Sequence, residues 1–134
     1  MTSFTGFAAF ANHKYLSLET FKKNGEVVST PVWFAADPSS KLDSRDAKLY
    51  VYSIGDSGKV KRVRNNPRVR VAPCDMRGKL LGEWVDGKAQ ILTGDEAARG
   101  MRLLNQKYFP VKQILGFFAL FSRRKRVVIT ISPA

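Results

Sequence analysis

Apolar and polar residues alternate through the first quarter of the chain. In Tyr15–Phe21, leucines alternate with polar residues, which is the period-two pattern of a strand. The Asn24-Gly25 pair tolerates positive φ and predicts a hairpin turn. The next run, Val27–Ala36, is rich in β-branched and aromatic residues and predicts a second strand. Pro31 cannot donate to a strand ladder, so it predicts an edge or a bulge there.

Short strands and helices follow along the rest of the chain. Four segments have the composition of strands: Lys48–Ser53, the segment around Val69 and Val71, Leu80–Leu92 with a bend at Asp86-Gly87, and Arg126–Ser132. Four have helical spacing or capping residues: Phe4–Ala11, Lys59–Asn65, the segment from the Thr93 capping box to Pro110, and Val111–Phe121. The polar run Asp37–Lys48 predicts an exposed hairpin loop. So many short strands in one chain must close up to protect their edges, which favours a mostly β single domain over residues 1–134, a small antiparallel barrel with flanking helices.

Charge narrows the choice of partners. The 134 residues carry a net charge of +12, which attracts phosphates, nucleic acid, acidic lipids or a carboxylate-rich cofactor. Cys74 is the only cysteine, so an intrachain disulfide is impossible and a reducing, cytoplasmic location is expected. The longest apolar run, Ile114–Phe121, falls far short of the ~20 residues of a membrane span. Followed by basic residues, it could rest on an anionic membrane surface, although packing on the barrel or on a partner subunit is preferred.

The segment Ser57–Arg70 (SGKVKRVRNNPRVR) is the most informative motif. Ser57 is placed to cap a helix, whose first N–H groups and positive dipole end favour an anion. Lys59 and Arg62 are three residues apart and share one face of that helix. Together with Gly58 they could hold a terminal phosphate, and both basic side chains are expected to face solvent without a ligand. A solvated basic helix and a single-stranded nucleic-acid platform are the alternatives.

No constellation of catalytic side chains emerges. His13 is the only histidine, so neither a zinc site nor a Ser-His-Asp triad is indicated. Cys74 lies in a strand pattern and is expected to pack as a buried thiol. Paired carboxylates and glycine-rich nucleotide loops are missing as well. We therefore assign no catalytic residue and no metal, and expect any chemistry to belong to a bound cofactor.

Three stretches together resemble one family: Lys14–Phe34 (KYLSLETFKKNGEVVSTPVWF), Leu49–Asp75 (LYVYS and SGKVKRVRNNPRVRVAPCD) and Gly82–Lys88 (GEWVDGK). They are similar to the pyridoxamine-phosphate-oxidase-like split-barrel family, and most of all to its deazaflavin-dependent subgroup. The resemblance implies a six-stranded antiparallel split β-barrel that forms a homodimer, with its cofactor at the dimer interface.

The resemblance also implies a site. The ring of the cofactor would lie along Thr30, Pro31, Val32 and Trp33, and its phosphate would bind at Ser53, Ser57, Gly58, Lys59 and Arg62. Trp84 is either a core residue or a further cofactor contact. The cofactor would be FMN or the deazaflavin coenzyme F420, and haem or bilin binding also occurs on this fold.

The implied activity is hydride transfer between the ring and a small substrate. A cofactor carrier without turnover and a basic nucleic-acid-binding module are the alternatives. An Arg-x-His substrate motif is typical of true pyridoxamine phosphate oxidases, but no histidine follows His13, which disfavours that reaction.

Overall fold

Seven antiparallel strands and two helices account for most of the described residues, which are 6–54, 57–107 and 126–134 of a computed structural model. The strands are β1 (Tyr15–Phe21), β2 (Val27–Trp33), β3 (Ala35–Ala36), β4 (Leu49–Ile54), β5 (Arg68–Cys74), β6 (Val85–Leu92) and β7 (Arg126–Pro133). The helices are α1 (Gly58–Asn65) and α2 (Gly94–Lys107), and a 3₁₀ turn spans Ala8–Phe10. The mostly β class predicted from the sequence is confirmed.

The sheet curls so far that its two outer strands follow each other directly in the chain. The strand order is β2-β1-β5-β6-β7-β4-β3, so β2 and β3 are the two outer strands although only Phe34 separates them. Trp33 pairs with Tyr15 of β1, and Ala35 pairs with Tyr50 of β4. The predicted strand Val27–Ala36 is therefore divided at the buried Phe34, which gives seven strands rather than six in a split barrel. Pro31 lies on the edge strand β2, as predicted.

Strand alternation sorts the side chains into two faces. Aliphatic residues of β1, β4, β5 and β7 point inward and form the main core with Phe7, Phe10 and Phe34. The three aromatic rings meet edge to face, with centroids 5.7 Å apart in each pair, a geometry that adds about 0.5–1.5 kcal/mol per pair. A smaller cluster on the outer face includes Tyr50, Leu104 and Val128 and lies beneath α2.

One predicted strand boundary is wrong because a turn delays the start of the strand. The strand expected at Leu80–Leu92 begins only at Val85, because the Asp75 carboxylate accepts hydrogen bonds from the backbone N–H groups of Arg77 and Lys79 and turns the chain away. Leu80 keeps a single bridge to Cys74.

The loop Asp37–Lys48 is only partly exposed. The Asp37 side chain and Ala47 are buried, and Leu42 packs on the core. The sequence shows many polar residues there, but not which of them dock on the barrel.

The predicted terminal helices receive little support. Of the helix expected at Phe4–Ala11, the described residues contain the 3₁₀ turn Ala8–Phe10. The helix predicted at Val111–Phe121, and the Pro110 that should end the preceding helix, lie outside the described residues. Among the helices in the described ranges, none is long and apolar enough to cross a membrane.

Candidate functional site

Helix α1 begins as the sequence predicts. Ser57 has extended backbone angles (φ −68°, ψ 158°), and its Oγ accepts a hydrogen bond from the Val60 N–H at 3.4 Å. Val60 and Val63 are buried and anchor the helix to the barrel. The first turn holds no acidic residue, so nothing in that turn offsets the positive end of the helix dipole.

Ser53 brings the end of β4 to the same point. Its side chain points inward in register with the core residue Val127, and its Oγ lies 2.9 Å from the Ser57 Oγ. Two hydroxyl groups therefore meet at the start of α1, as the predicted phosphate site requires.

Arg62 folds back along α1 instead of facing solvent. Its Nε donates a hydrogen bond to the Thr20 Oγ1 at 2.6 Å. A Cβ at Gly58 would lie 2.6 Å from the Arg62 Nη1, so the guanidinium occupies the space that a side chain there would take. The expectation of a solvent-facing Arg62 is wrong, because Thr20 holds it. Sequence reasoning missed Thr20, whose only signal is a polar residue in register with the inward Leu16 and Leu18.

Lys59 is half-buried as well. Burial, and then the neighbouring Arg62 charge, lower the pKa of Lys59 from its usual 10.5. Within residues 6–54, 57–107 and 126–134, no carboxylate pairs with Lys59 or Arg62. Two uncompensated cations at a helix N-terminus form a site suited to an anion.

The segment Thr30–Trp33 divides between the two faces of β2. Thr30 and Val32 pair with Leu18 and Leu16 and share their inward face. The Thr30 Oγ1 is buried and has no hydrogen-bond partner. Thr20, which accepts the hydrogen bond from Arg62, lies on this face too. The Thr30 hydroxyl is therefore on the same side of the sheet as that hydrogen bond.

Pro31 and Trp33 face the other way. Trp33 packs near Tyr15, with ring centroids 6.4 Å apart. On this outer face the buried Glu19 accepts hydrogen bonds from the Arg70 Nε at 2.7 Å and from the Ser29 Oγ at 3.3 Å.

Trp84 lies on the outer side too. The Arg70 guanidinium carbon is 5.2 Å from the centroid of its ring. The structure thus brings Ser53, Ser57, Gly58, Lys59 and Arg62 together with Thr20. It leaves Trp33 and Trp84 on the opposite face of the sheet within one chain.

One family model matches most of the chain. The model described as pyridoxamine 5'-phosphate oxidase matches residues 7–134. The chain belongs to the pyridoxamine 5'-phosphate oxidase family. No curated protein sequence matches it significantly.

Several solved structures share the fold of this family member. A Listeria innocua protein named as a candidate pyridoxamine 5'-phosphate oxidase is 19% identical, with a TM-score of 0.62 over 94% of this chain and 88% of that one. The haem storage protein HutZ from Vibrio cholerae is 12% identical, with a TM-score of 0.63 over 92% and 83%. A structure named F420 reductase is 18% identical, with a TM-score of 0.58 over 96% of this chain and 94% of that one. At these identities the likeness establishes the split barrel and not the ligand.

Besides the α1 residues, this family member has Cys74 and side chains of the types that bind metals. Burial, and then the nearby Asp75 charge, raise the pKa of the Cys74 thiol to about 11, which suits a packing residue and not a nucleophile. In the described part of the chain, no group of three or more His, Cys, Asp or Glu side chains could hold a metal ion.

Proposed function

We propose that this protein is a cofactor-dependent oxidoreductase that binds FMN or the deazaflavin coenzyme F420 between two copies of the chain. The observation that carries the proposal is a pair of cations, Lys59 and Arg62, at the capped start of α1, with which no carboxylate of the described residues pairs. Both cofactors end in a phosphate-bearing tail of the kind that such a site would hold.

The residues at α1 fit the tail of such a cofactor. Lys59 and Arg62 would offset its charge, and Ser53 and Ser57 would offer hydroxyl groups. The absence of a side chain at Gly58 keeps the Arg62 guanidinium at the helix end. The orphaned Thr30 hydroxyl would gain a partner on the same side of the sheet.

The chemistry would come from the bound ring, which accepts or donates hydride, while the chain binds and orients it. Thr30–Trp33 is the segment proposed to lie beside the ring. Since Trp33 and Trp84 face away from α1 in one chain, they would serve a site completed by the second subunit.

An exposed apolar segment supports the homodimer. Met76, Leu80 and Leu81 are 68%, 42% and 53% exposed, and they lie in the turn that precedes the half-buried Trp84. Several large apolar side chains exposed within a few residues are typical of a protein interface. The second copy would cover them.

Titration of the purified protein with FMN and with F420, followed by fluorescence, tests the proposal. We expect Lys59→Ala to weaken binding about ten- to hundredfold, since a charge-assisted hydrogen bond contributes about 1.5–3 kcal/mol. Lys23→Ala is the matched control because it removes one exposed, unpaired charge from the first hairpin. Equal losses in both variants would show a diffuse field and contradict the α1 site.

A cofactor carrier without turnover is the second candidate. It is favoured by the residues described around α1. Hydroxyl groups lie beside Lys59 and Arg62 there, and no acid–base pair is among these described residues. Cofactor binding without hydride transfer across a panel of small oxidised substrates would support the carrier. A Soret absorption band after haem addition would point to haem instead, and tight nucleic-acid binding without flavin binding would overturn the oxidoreductase.

A further inference from the structure

A second cleft lies on the outer face of the barrel, beside α2. It has a volume of about 660 Å³ and is lined by β4, β6, β7 and α2. Its floor consists of polar residues that point outward: Tyr50, Lys88, Gln90, Thr130 and Ser132. None of the residues that line it belongs to the α1 site.

The strand register explains why this face is open. Gln90, Thr130 and Tyr50 form one row across β6, β7 and β4. The next row toward the α2 core contains Leu92, Val128 and Tyr52, and Leu92 and Val128 pack with residues of α2. The helix therefore covers the apolar row and the ring of Tyr50, and the other polar residues of these rows are left to the cleft.

Thr130 stands in the centre of this floor with an unsatisfied hydroxyl group. Its side chain is 8% exposed, and its Oγ1 has no hydrogen-bond partner. A buried hydroxyl without a partner costs about 1–3 kcal/mol. Valine has nearly the same shape and would avoid this cost, so Thr130→Val should stabilise the fold, and a ligand in the cleft does not reach the buried hydroxyl.

The charge around the cleft is positive. Lys48 and Lys88 line it, and Arg68 lies directly opposite Lys88 in the β5–β6 ladder. Like charges placed opposite each other destabilise a sheet, and in the described ranges no carboxylate pairs with any of the three. Glu96 is the one acidic residue among those lining the cleft.

The wall formed by α2 is fixed in place. Arg99 donates two hydrogen bonds to the Asp37 carboxylate, at 3.0 and 2.9 Å. The Tyr50 hydroxyl donates a third at 2.9 Å. Asp37 thus neutralises Arg99 and holds one side of the cleft rigid, while Lys48 and Lys88 keep their charge for a ligand.

We propose that this cleft binds a small organic anion that bears a phosphate or carboxylate group. Lys48 and Lys88 offset the charge of the anion, and the Ser132 hydroxyl group, which lies beside Lys88 in the lining of the cleft, hydrogen-bonds to it. The site is separate from the proposed cofactor site, since the two share no residue and lie on different faces of the sheet.

Titration of the isotopically labelled full chain with inorganic pyrophosphate, followed by amide NMR shifts, tests the cleft. Binding there should move the amide signals of Lys88–Gln90 and Thr130–Ser132. Lys48→Ala with Lys88→Ala should weaken it about tenfold or more, from two lost charge-assisted contacts. Lys23→Ala with Lys41→Ala removes the same charge from exposed positions and should change it little.

Ser132→Ala tests the hydroxyl contact in the cleft. It should weaken pyrophosphate binding about fivefold, the loss of one neutral hydrogen bond, while Thr130→Val, which removes a buried hydroxyl, should leave binding unchanged. Lys59→Ala should leave the shifts at Lys88–Gln90 in place, which distinguishes this site from the α1 site. Shifts confined to Gly58–Arg62, or full affinity in both the Lys48/Lys88 and the Ser132 variants, would overturn the proposal.

Discussion

A side chain at position 58 would compete with Arg62 for the same space. The Arg62 Nη1 lies 2.6 Å from where a Cβ of residue 58 would be. Gly58→Ala should therefore push the guanidinium away from the start of α1 and reduce cofactor affinity about tenfold, the equivalent of one lost contact. Stability should change by less than about 1 kcal/mol, because alanine is the better helix former. Parallel thermal melts and cofactor titrations measure the two effects, and unchanged affinity would contradict the assigned role of Arg62.

Lys59 gives the α1 site a pH dependence with a defined sign. Burial and the Arg62 charge lower the pKa of Lys59 in the folded chain. Its protonated form is thus disfavoured by folding, and this penalty shrinks as the pH rises from the lowered pKa toward the unfolded value of 10.5. An anion prefers the protonated form, so cofactor affinity should fall as the pH rises through that pKa, at a lower pH than for an ordinary lysine.

Lys59→Arg is the matched variant for this dependence, because arginine stays charged in proteins. Dissociation constants measured from about pH 7 up to about pH 10 should increase for the wild type and stay nearly level for the variant. Parallel profiles for the two proteins would show that another group titrates.

At the scale of elements, Asp37 joins the loop after β3 to helix α2. Burial alone would raise the pKa of Asp37, but hydrogen bonds from Ser39 and Tyr50 and the Arg99 charge outweigh it and lower the pKa to about 2. A lowered carboxylate pKa stabilises the fold above the unfolded value of 3.8, and this contribution is lost as the pH falls toward 2.

Asp37→Asn removes the charge and keeps the shape. The variant should be less stable at neutral pH by about 1–2 kcal/mol, since Arg99 is partly exposed and its ion pair is weakened by solvent. The difference from the wild type should shrink as the pH falls from about 4 to about 2. Denaturant melts at several pH values measure it, and a constant difference would show that the carboxylate charge does not matter.

Elements with local signals could be predicted from the sequence, and elements fixed by distant contacts could not. Alternation marked β1, and the Ser57 cap marked α1, because strand period and capping depend on a few neighbouring residues. The burial of Asp37 depends on Arg99, 62 residues further along the chain. Likewise Ser57 and Gly58 could be placed at the anion site, but the bond from Arg62 to Thr20 spans 42 residues and leaves no pattern.

For the whole molecule, the net charge of +12 does not by itself indicate where an anion would bind; the positions of the charged side chains do. At α1, Lys59 and Arg62 stand at a helix end on one side of the barrel. At the outer cleft, Lys48 and Lys88 are part of the lining, and Arg68 lies opposite Lys88 in the ladder. Each group lacks a carboxylate partner among the described residues, which is why we propose that each of the two places holds an anion.

The apolar segment before Trp84 decides whether one chain is sufficient for the cofactor site. Leu80 and Leu81 are 42% and 53% exposed, so replacing both with aspartate should barely alter the fold of a single chain. In a homodimer the same change places charges in the interface, where unpaired charges are strongly disfavoured. Sedimentation velocity should therefore show a wild-type dimer and a monomeric variant with an unchanged circular dichroism spectrum.

Cofactor titration of the same pair of proteins completes the test. If residues of both subunits form the ring-binding part of the site, the monomeric variant should lose affinity although Lys59 and Arg62 are intact. A wild type that sediments as a monomer and still binds FMN or F420 would show that one barrel holds the whole site. In that case Trp33 and Trp84, on the face away from α1, would have no part in binding the cofactor.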